Sequence, residues 1–394
     1  MPVAQPYTFT QTRHALTPIE CQDCLAPFVL PPLQPGQTAR CPHCSAHITT
    51  LRDRAFDRAR AFALTALVFL FLALCFDFLA INAGGQNRSI SLIQNFRVLN
   101  EQGYALLACI QVATLIAIPA AVLCGLLYLL TFRHPETLPT TTARVFRWTF
   151  HLLPWAMAEI FLISLLVSLI KLSAQAELSL GLAFYHYLVF SLCFIASVMF
   201  VDRHQLAITL FPAQTHEKLK EGSPLSERDK SLSIQRTWAL IITAALLYIP
   251  ANLLPIMHTQ LPGDSRSNTI IGGIIRLWES GSYPVAIIIF IASVFVPLIK
   301  LLILAWLNYT VQTGKPGLLK ERLLSYRFIE FIGRWSMVDV FVVAILAGLV
   351  QLGSLMNVTP GPAILVFFAV VVVTIFATNS FKPQLIPLTA QGAL

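Results

Sequence analysis

The sequence predicts an all-α polytopic membrane protein: eight transmembrane helices in two tandem parallel four-helix repeats, preceded by a small cysteine-bearing domain. Three observations predict it. Hydrophobic residues make up 56% of the 394-residue chain and charged residues only 12%, against roughly 25% charged in a soluble domain. Eight apolar stretches alternate with polar segments. A run of tryptophan, methionine, an acid and phenylalanine occurs twice in the same spacing.

The apolar stretches fall at 61–81, 104–131, 152–172, 182–201, 238–257, 284–309, 336–352 and 363–378. A spanning helix needs about 20 apolar residues. Most of the stretches meet that length, and the last two extend into their flanks. Pro119, Pro154, Pro250 and Pro297 lie inside them and predict kinks rather than breaks. No cleavable leader precedes the first stretch, so that stretch also serves as the targeting signal. The formal charge of +8 belongs to loops and not to nucleic-acid binding. Arg52, Arg54, Arg58 and Arg60 precede the first span. Arg133, Arg144 and Arg147 follow the second, and Lys218, Lys220, Arg228 and Lys230 follow the fourth. Lys315, Lys320 and Arg322 follow the sixth. The opposite loops hold Arg88, Arg97, Arg266 and Arg276. That bias places both termini in the cytoplasm.

The repeat is read residue by residue. Trp155-Ala-Met-Ala-Glu159-Ile-Phe161 returns as Trp335-Ser-Met-Val-Asp339-Val-Phe341, and Gly103 and Pro119 return as Gly281 and Pro297. Four spans per unit keep both copies in the same orientation. The domains are then residues 1–50, a first bundle at 51–205, a linker at 206–235 and a second bundle at 236–394. Each bundle carries an outer loop with a short amphipathic segment that ends at a glycine, Gly103 or Gly281.

Cys21-Gln-Asp-Cys24 and Cys41-Pro-His-Cys44 form two Cys-x-x-Cys pairs sixteen residues apart. Each pair turns tightly enough to aim two thiolates at one ion, and two pairs close a tetrahedron. The spacing is that of a zinc ribbon holding one structural zinc ion through Cys21, Cys24, Cys41 and Cys44. A disulfide reading conflicts with a cytosolic location, and a redox reading lacks the strand–helix context. His43 and His47 read as surface residues beside the site.

Ionisable residues inside spans are functional candidates. Glu159 and Asp339 hold equivalent positions, just inside the third span of each unit. Lys300 lies mid-span, three residues after Pro297, with Asp339 or Glu159 as its natural partner. Lys171 ends the third span, Arg334 begins the seventh and Asp77 lies near the outer end of the first. Together they read as an intramembrane polar network for coupling or gating. The structural alternative is that they are charge pairs fixing helix register. No phosphate-binding loop, His-Glu-x-x-His or nucleophile elbow occurs, so the chain reads as no enzyme.

Four cysteines ahead of a first span, Arg334-Trp-Ser-Met-Val-Asp-Val-Phe341 with its earlier copy, and the paired Gly103/Pro119 and Gly281/Pro297 resemble the paraquat-inducible protein A family. The resemblance covers residues 19–387. It implies a bacterial inner-membrane protein that works with a periplasmic MCE-domain partner and passes phospholipid between the membrane and that partner's tunnel, supporting envelope integrity. A membrane scaffold that anchors the partner and docks a cytoplasmic protein through its ribbon is the alternative. Two-repeat members often carry a ribbon before each repeat, whereas residues 211–235 here hold no cysteine.

Overall fold

In lipid, a backbone satisfies its polar groups only by coiling on itself or by pairing within protein, and the apolar runs of this chain become helices. The computed structural model describes residues 18–21, 27–29, 34, 36–45, 47–50, 52, 54–83, 86–101, 103–131, 139–173, 177–210, 227–261, 264–313, 319–333, 337–349, 357–381 and 385–386. Four short strands come first: β1 (Pro18–Glu20), β2 (Pro27–Val29), β3 (Thr38–Arg40) and β4 (His47–Thr50). They pair as two antiparallel hairpins, β1 with β2 and β3 with β4.

The next segment runs α1 (Ala55–Cys75), β5 (Leu79–Ala83), β6 (Gln86–Ile90), α2 (Leu92–Glu101), α3 (Ala105–Val112), α4 (Ile118–Thr131), α5 (Pro139–Leu152), α6 (Ala158–Ser173), β7 (Glu177–Leu180), α7 (Leu182–Phe200) and α8 (Arg203–Leu210). The last segment runs α9 (Glu227–Leu253), β8 (Met257–Leu261), β9 (Asp264–Asn268), α10 (Ile270–Glu279), α11 (Tyr283–Phe290), α12 (Val296–Gln312), α13 (Leu319–Gly333), α14 (Val338–Leu349), β10 (Asn357–Pro360) and α15 (Ala363–Ser380). The two successions match from α1 to α7 and from α9 to α15.

Among the described residues, seven helical stretches are long and apolar enough to cross a membrane, and the protein is a multi-pass membrane protein. The stretch read at 336–352 appears as α14, whose twelve residues are short of a span on their own. It follows α13 after residues 334–336, which lie outside the described set. The outer surface is apolar, as lipid requires: Leu64, Val68 and Phe71 are 56–67% exposed along one face of α1. The other face of α1 buries Ala55, Ala59, Ala63, Ala66 and Ala73. Small residues at helical spacing let backbones approach, and α1 packs along α7 as α9 packs along α15.

Three expectations need correction. Helix α1 starts six residues before the apolar run and ends at Cys75, so Asp77 lies beyond the span and is exposed. Pro154 breaks its helix instead of kinking it. Residues Leu153–Trp155 form a 3-10 turn, Ala156 is extended (ψ 114°), and the helix resumes at Ala158. Finally, the chain is not helical throughout. Strands β6-β5-β7 and β9-β8-β10 form two three-stranded antiparallel sheets at the end opposite the cysteines, where outer loops were expected. Pro119 and Pro297 each follow just after a π-helical turn, at Ala113–Ala117 and Ile291–Phe295, and the helix continues through them. The amphipathic segments of the outer loops are α2 and α10. Both close on a Schellman arrangement. Gly103 N–H donates to Asn100 O and Tyr104 N–H to Leu99 O, and Gly281 and Ser282 repeat this against Trp278 and Leu277.

At the sheet end Gly181 leads into α7 and Gly361 into α15. A Cβ on Gly181 would collide with the carbonyl oxygen of Asp77, and one on Gly361 with that of Pro255. These same carbonyls accept the N–H groups of Ala183 and Ala363 at 3.1 and 3.2 Å. Gly181→Ala or Gly361→Ala is expected to destabilise the protein by roughly 1–3 kcal/mol, read as a lower unfolding midpoint in detergent. Gly273→Ala, where a Cβ meets nothing within 4 Å, is expected to leave the midpoint unchanged or raise it.

Candidate functional site

The hairpin turns bring Cys21, Cys41 and Cys44 together, all three buried, with their Sγ atoms within 4.8 Å of one another. Cys21 Sγ and Cys44 Sγ lie 3.7 Å apart. That separation is far beyond a disulfide bond. It matches the edge of a tetrahedron with 2.3 Å zinc–sulfur bonds, about 3.8 Å. The donor set fits a zinc ion. Cys24 lies outside the described residues. His43 and His47 are exposed, and His47 pairs with Thr50 Oγ1 at 2.7 Å.

The module lies across both segments. Gln205 of α8 donates to Thr49 Oγ1 at 2.9 Å and to Thr50 O at 3.0 Å. Thr50 N–H donates to Asp202 at 3.3 Å and Arg52 to Met199 O at 3.0 Å. On the other segment, Arg327 of α13 donates to Cys44 Sγ at 3.9 Å. The three cysteines share one buried cluster with Leu307, Val311, Leu323 and Ile329. Gln205→Ala is expected to loosen the module from the first segment, seen as faster protease cleavage near residues 51–54 with the cysteine ligands intact.

Deeper in the bundle, one helix is interrupted. Between α5 and α6 the backbone of Ala156 and Met157 is non-helical but fully enclosed, with both side chains 1% exposed. Irregular backbone survives at membrane depth only where protein satisfies it. Here Met157 N–H reaches Thr114 O at 3.4 Å, inside the π-helical turn. Glu159 follows in the first turn of α6, at the positive end of the half-helix. Asp339 holds the same place in α14, and its side chain lies outside the described set. The half-helices α6 and α14 pack against each other. Ser164 Oγ donates to Val338 O at 3.0 Å, and Phe161 meets Phe341 edge-on at 6.2 Å.

Lys300 is 1% exposed. Its Nζ donates to Thr374 Oγ1 at 3.1 Å, and Thr374 donates onward to Val371 O at 2.8 Å. Gly333, the last residue of α13, leaves room for the ammonium: a Cβ there would sit 3.1 Å from Nζ. The expected partner was Glu159 or Asp339. The partner among the described residues is a threonine on α15. Lys300 also forms part of the wall of a cavity of about 660 Å³. The first segment contributes Phe150, His151, Pro154, Trp155 and Met157 to it. Arg327, Glu330 and Phe331 come from α13, and Thr378 and Asn379 from α15. The cavity therefore lies between the two segments, in the half that carries the cysteines.

Of the remaining sequence-predicted residues, Lys171 sits near the end of α6 with its side chain outside the described set, and Arg334 is itself outside it. Asp77 is remote from the cavity. Sequence reasoning missed Arg327 and Thr374. Thr374 had a signal, since Thr374 and Thr378 stand four residues apart, on one face of an otherwise apolar helix. Arg327 had none, because it reads as an ordinary loop-flanking arginine.

Comparison with known proteins gives one family model, the paraquat-inducible protein A model, which matches residues 56–208 and again 234–387. The intermembrane transport protein PqiA of Escherichia coli K12 is 36% identical, covering 94% of this chain and 96% of that one. The lipophilic envelope-spanning tunnel protein A of the same organism is 28% identical, covering 93% and 90%. A probable intermembrane transport protein of Haemophilus influenzae is 26% identical, covering 93% and 95%. No solved structure gives a significant match. A match over both halves of the membrane region, together with that relative at 36% identity, means that this chain belongs to the paraquat-inducible protein A family.

Proposed function

We propose that this protein is a non-enzymatic component of an MCE-type lipid transport system in the bacterial inner membrane, passing phospholipid between that membrane and a periplasmic tunnel partner. The observation that carries the reading is the cavity of about 660 Å³ between the two segments. It is walled in part by the broken α5–α6 helix and lined by both cations and aromatic rings. A filled bundle would give a scaffold nothing to move. Relatives named for intermembrane transport and for an envelope-spanning tunnel support the same reading.

The two matched segments act as parallel four-helix repeats, and α13 with α14 adds the crossing that brings the seven long helical stretches to eight. Both termini face the cytoplasm, by the lysine and arginine bias of the loops. The cysteine module then lies inside, and the sheets β6-β5-β7 and β9-β8-β10 face the periplasm, where the partner docks. Cys24 completes a four-thiolate zinc site with Cys21, Cys41 and Cys44. Closed coordination of that kind is structural, and the module's contacts with both segments make it a clasp across them.

The scaffold alternative draws on the exposed side of the ribbon, where Pro42, His43 and Ser45 face outward. A transfer assay separates the two. Proteoliposomes holding the full chain and radiolabelled phospholipid are mixed with the soluble domain of the MCE partner, and label on the partner is counted. Transport predicts label well above protein-free vesicles. Stable partner binding with no label transferred would leave the scaffold.

A further inference from the structure

The wall of the cavity holds an ammonium in an unusual position. Lys300 is buried, has three donors, and among the described residues gives one of them to the neutral Thr374 and enters no ion pair. A buried cation without an anion nearby carries a large desolvation cost. A second cation, Arg327, lines the same cavity, and Glu330, which is exposed, is the one carboxylate among the described lining residues. Lys300 marks the deep end. Thr374, which it touches, lies six residues before the end of α15 at Ser380, about 9 Å along the helix axis. Arg327 lies six residues of α13, about 9 Å along its axis, before Gly333, toward the cysteine module. The volume falls in the range of sites for drug-sized molecules, roughly 300–1,000 Å³, enough for a polar headgroup and its glycerol but not for two long acyl chains. Phe331, 60% exposed, and Trp155 give the rim an apolar surface against which chains can lie.

We propose that this cavity is a phosphate site for a lipid headgroup entering from the leaflet on the cysteine side, with Lys300 gripping the phosphate at the closed end and Arg327 at the mouth. The assignment rests on the transport reading and names its substrate class: a phosphodiester carrying acyl chains. Carbonyl-rich or uncharged headgroups have no anion to offer the lysine. A phosphate accepts from ammonium and guanidinium together, and the acyl chains supply the apolar contact that a soluble phosphate lacks.

The test uses the full-length protein in detergent with phosphatidylglycerol as probe and bound lipid per chain read by native mass spectrometry. Glycerol 3-phosphate serves as a soluble competitor. Lys300→Met and Arg327→Gln are each expected to weaken retention about ten- to hundred-fold, the usual loss for a charge-assisted hydrogen bond. Gly333→Ala, which pushes the ammonium aside while keeping its charge, is expected to weaken it less. Arg228→Gln, at an exposed arginine outside the cavity, is expected to change nothing. Zinc content and the unfolding midpoint report folding, and if Lys300→Met does not fold, Arg327→Gln and Gly333→Ala decide. Wild-type retention by the folded variants would overturn the site. Displacement by glycerol 3-phosphate at concentrations equal to the lipid would overturn the lipid source in favour of a soluble phosphate. Transfer of label to the partner by a Lys300→Met protein at the wild-type rate would remove the headgroup site and leave transport standing, whereas no transfer by the wild type would remove transport itself.

Discussion

Asp339→Asn or Lys300→Ala is expected to leave the protein in the membrane and to reduce complementation of an envelope-integrity defect to the level of a strain lacking the protein. The argument is clearest for Lys300. Its side chain runs from α12 toward Thr374 of α15 and the bare backbone of Gly333. It therefore sits where α12, α13 and α15 meet, in the wall of the cavity that the α5–α6 break also lines. Among the described residues Lys300 has no anionic partner, and removing such a buried charge does little harm to folding and can help it, so the variant protein accumulates and inserts. What it loses is the cation in the cavity wall. Asp339→Asn keeps the shape and removes the charge from the first turn of α14, the place held by Glu159 in α6. Growth on detergent plates, with membrane abundance measured by immunoblot, checks both. Full complementation by both variants at normal abundance would exclude a coupling or gating role for these residues.

Cys41→Ser has the second large expected effect. Structural zinc sites of this type contribute on the order of 10–16 kcal/mol of apparent binding free energy. Without metal, a segment of some thirty residues with few apolar groups has almost no core of its own. If the proposed zinc site is filled, the substitution is therefore expected to release its ion and unfold β3 and β4. It should also release the contacts of Thr49 and Thr50 with Gln205 and of Cys44 with Arg327. Because those contacts lie on both segments, loss of the module is expected to reach the bundle as a lower unfolding midpoint, beyond local protease sensitivity. Elemental analysis and limited proteolysis measure the two effects. A Cys41→Ser protein that keeps its zinc and its protease resistance would show that the thiolates are not the ligands.

The spans were legible because lipid imposes one simple rule. The apolar run at 104–131 becomes Ala105–Thr131, that at 182–201 becomes Leu182–Phe200, and that at 363–378 becomes Ala363–Ser380. Where other forces intervene, the reading drifted. Helix α1 begins among Arg58 and Arg60 because polar residues continue a helix past the lipid boundary at little cost. The sheets escaped because β5 pairs with β7 across about ninety-five residues, and residues 79–83 looked like the fading end of a span. The break after Leu152 was read as a kink. Pro154 allows either, and the carbonyl of Thr114 that satisfies Met157 comes from a different helix. The spacing of the cysteine pairs pointed to one site, and Cys21, Cys41 and Cys44 do cluster. The cavity could not be announced, since its wall draws on α5, α12, α13 and α15 together. Charge complementarity favoured an acid as the partner of Lys300; the described partner is Thr374, and the Asp339 side chain lies outside the described set.

Phospholipid inside the cavity between the two segments is the claim on which the account stands, and site-specific photocrosslinking in living cells tests it most directly. Benzoylphenylalanine replaces Trp155, in the cavity wall, or Leu246, 65% exposed on the outer face of α9. Cells are grown with radioactive phosphate, irradiated, and the protein is purified. Position 246 reports the surrounding bilayer and is expected to carry label in every background. Position 155 is expected to carry labelled phospholipid in the wild type and much less in Lys300→Met. Label at 246 with none at 155 in the wild type would contradict a lipid-binding cavity.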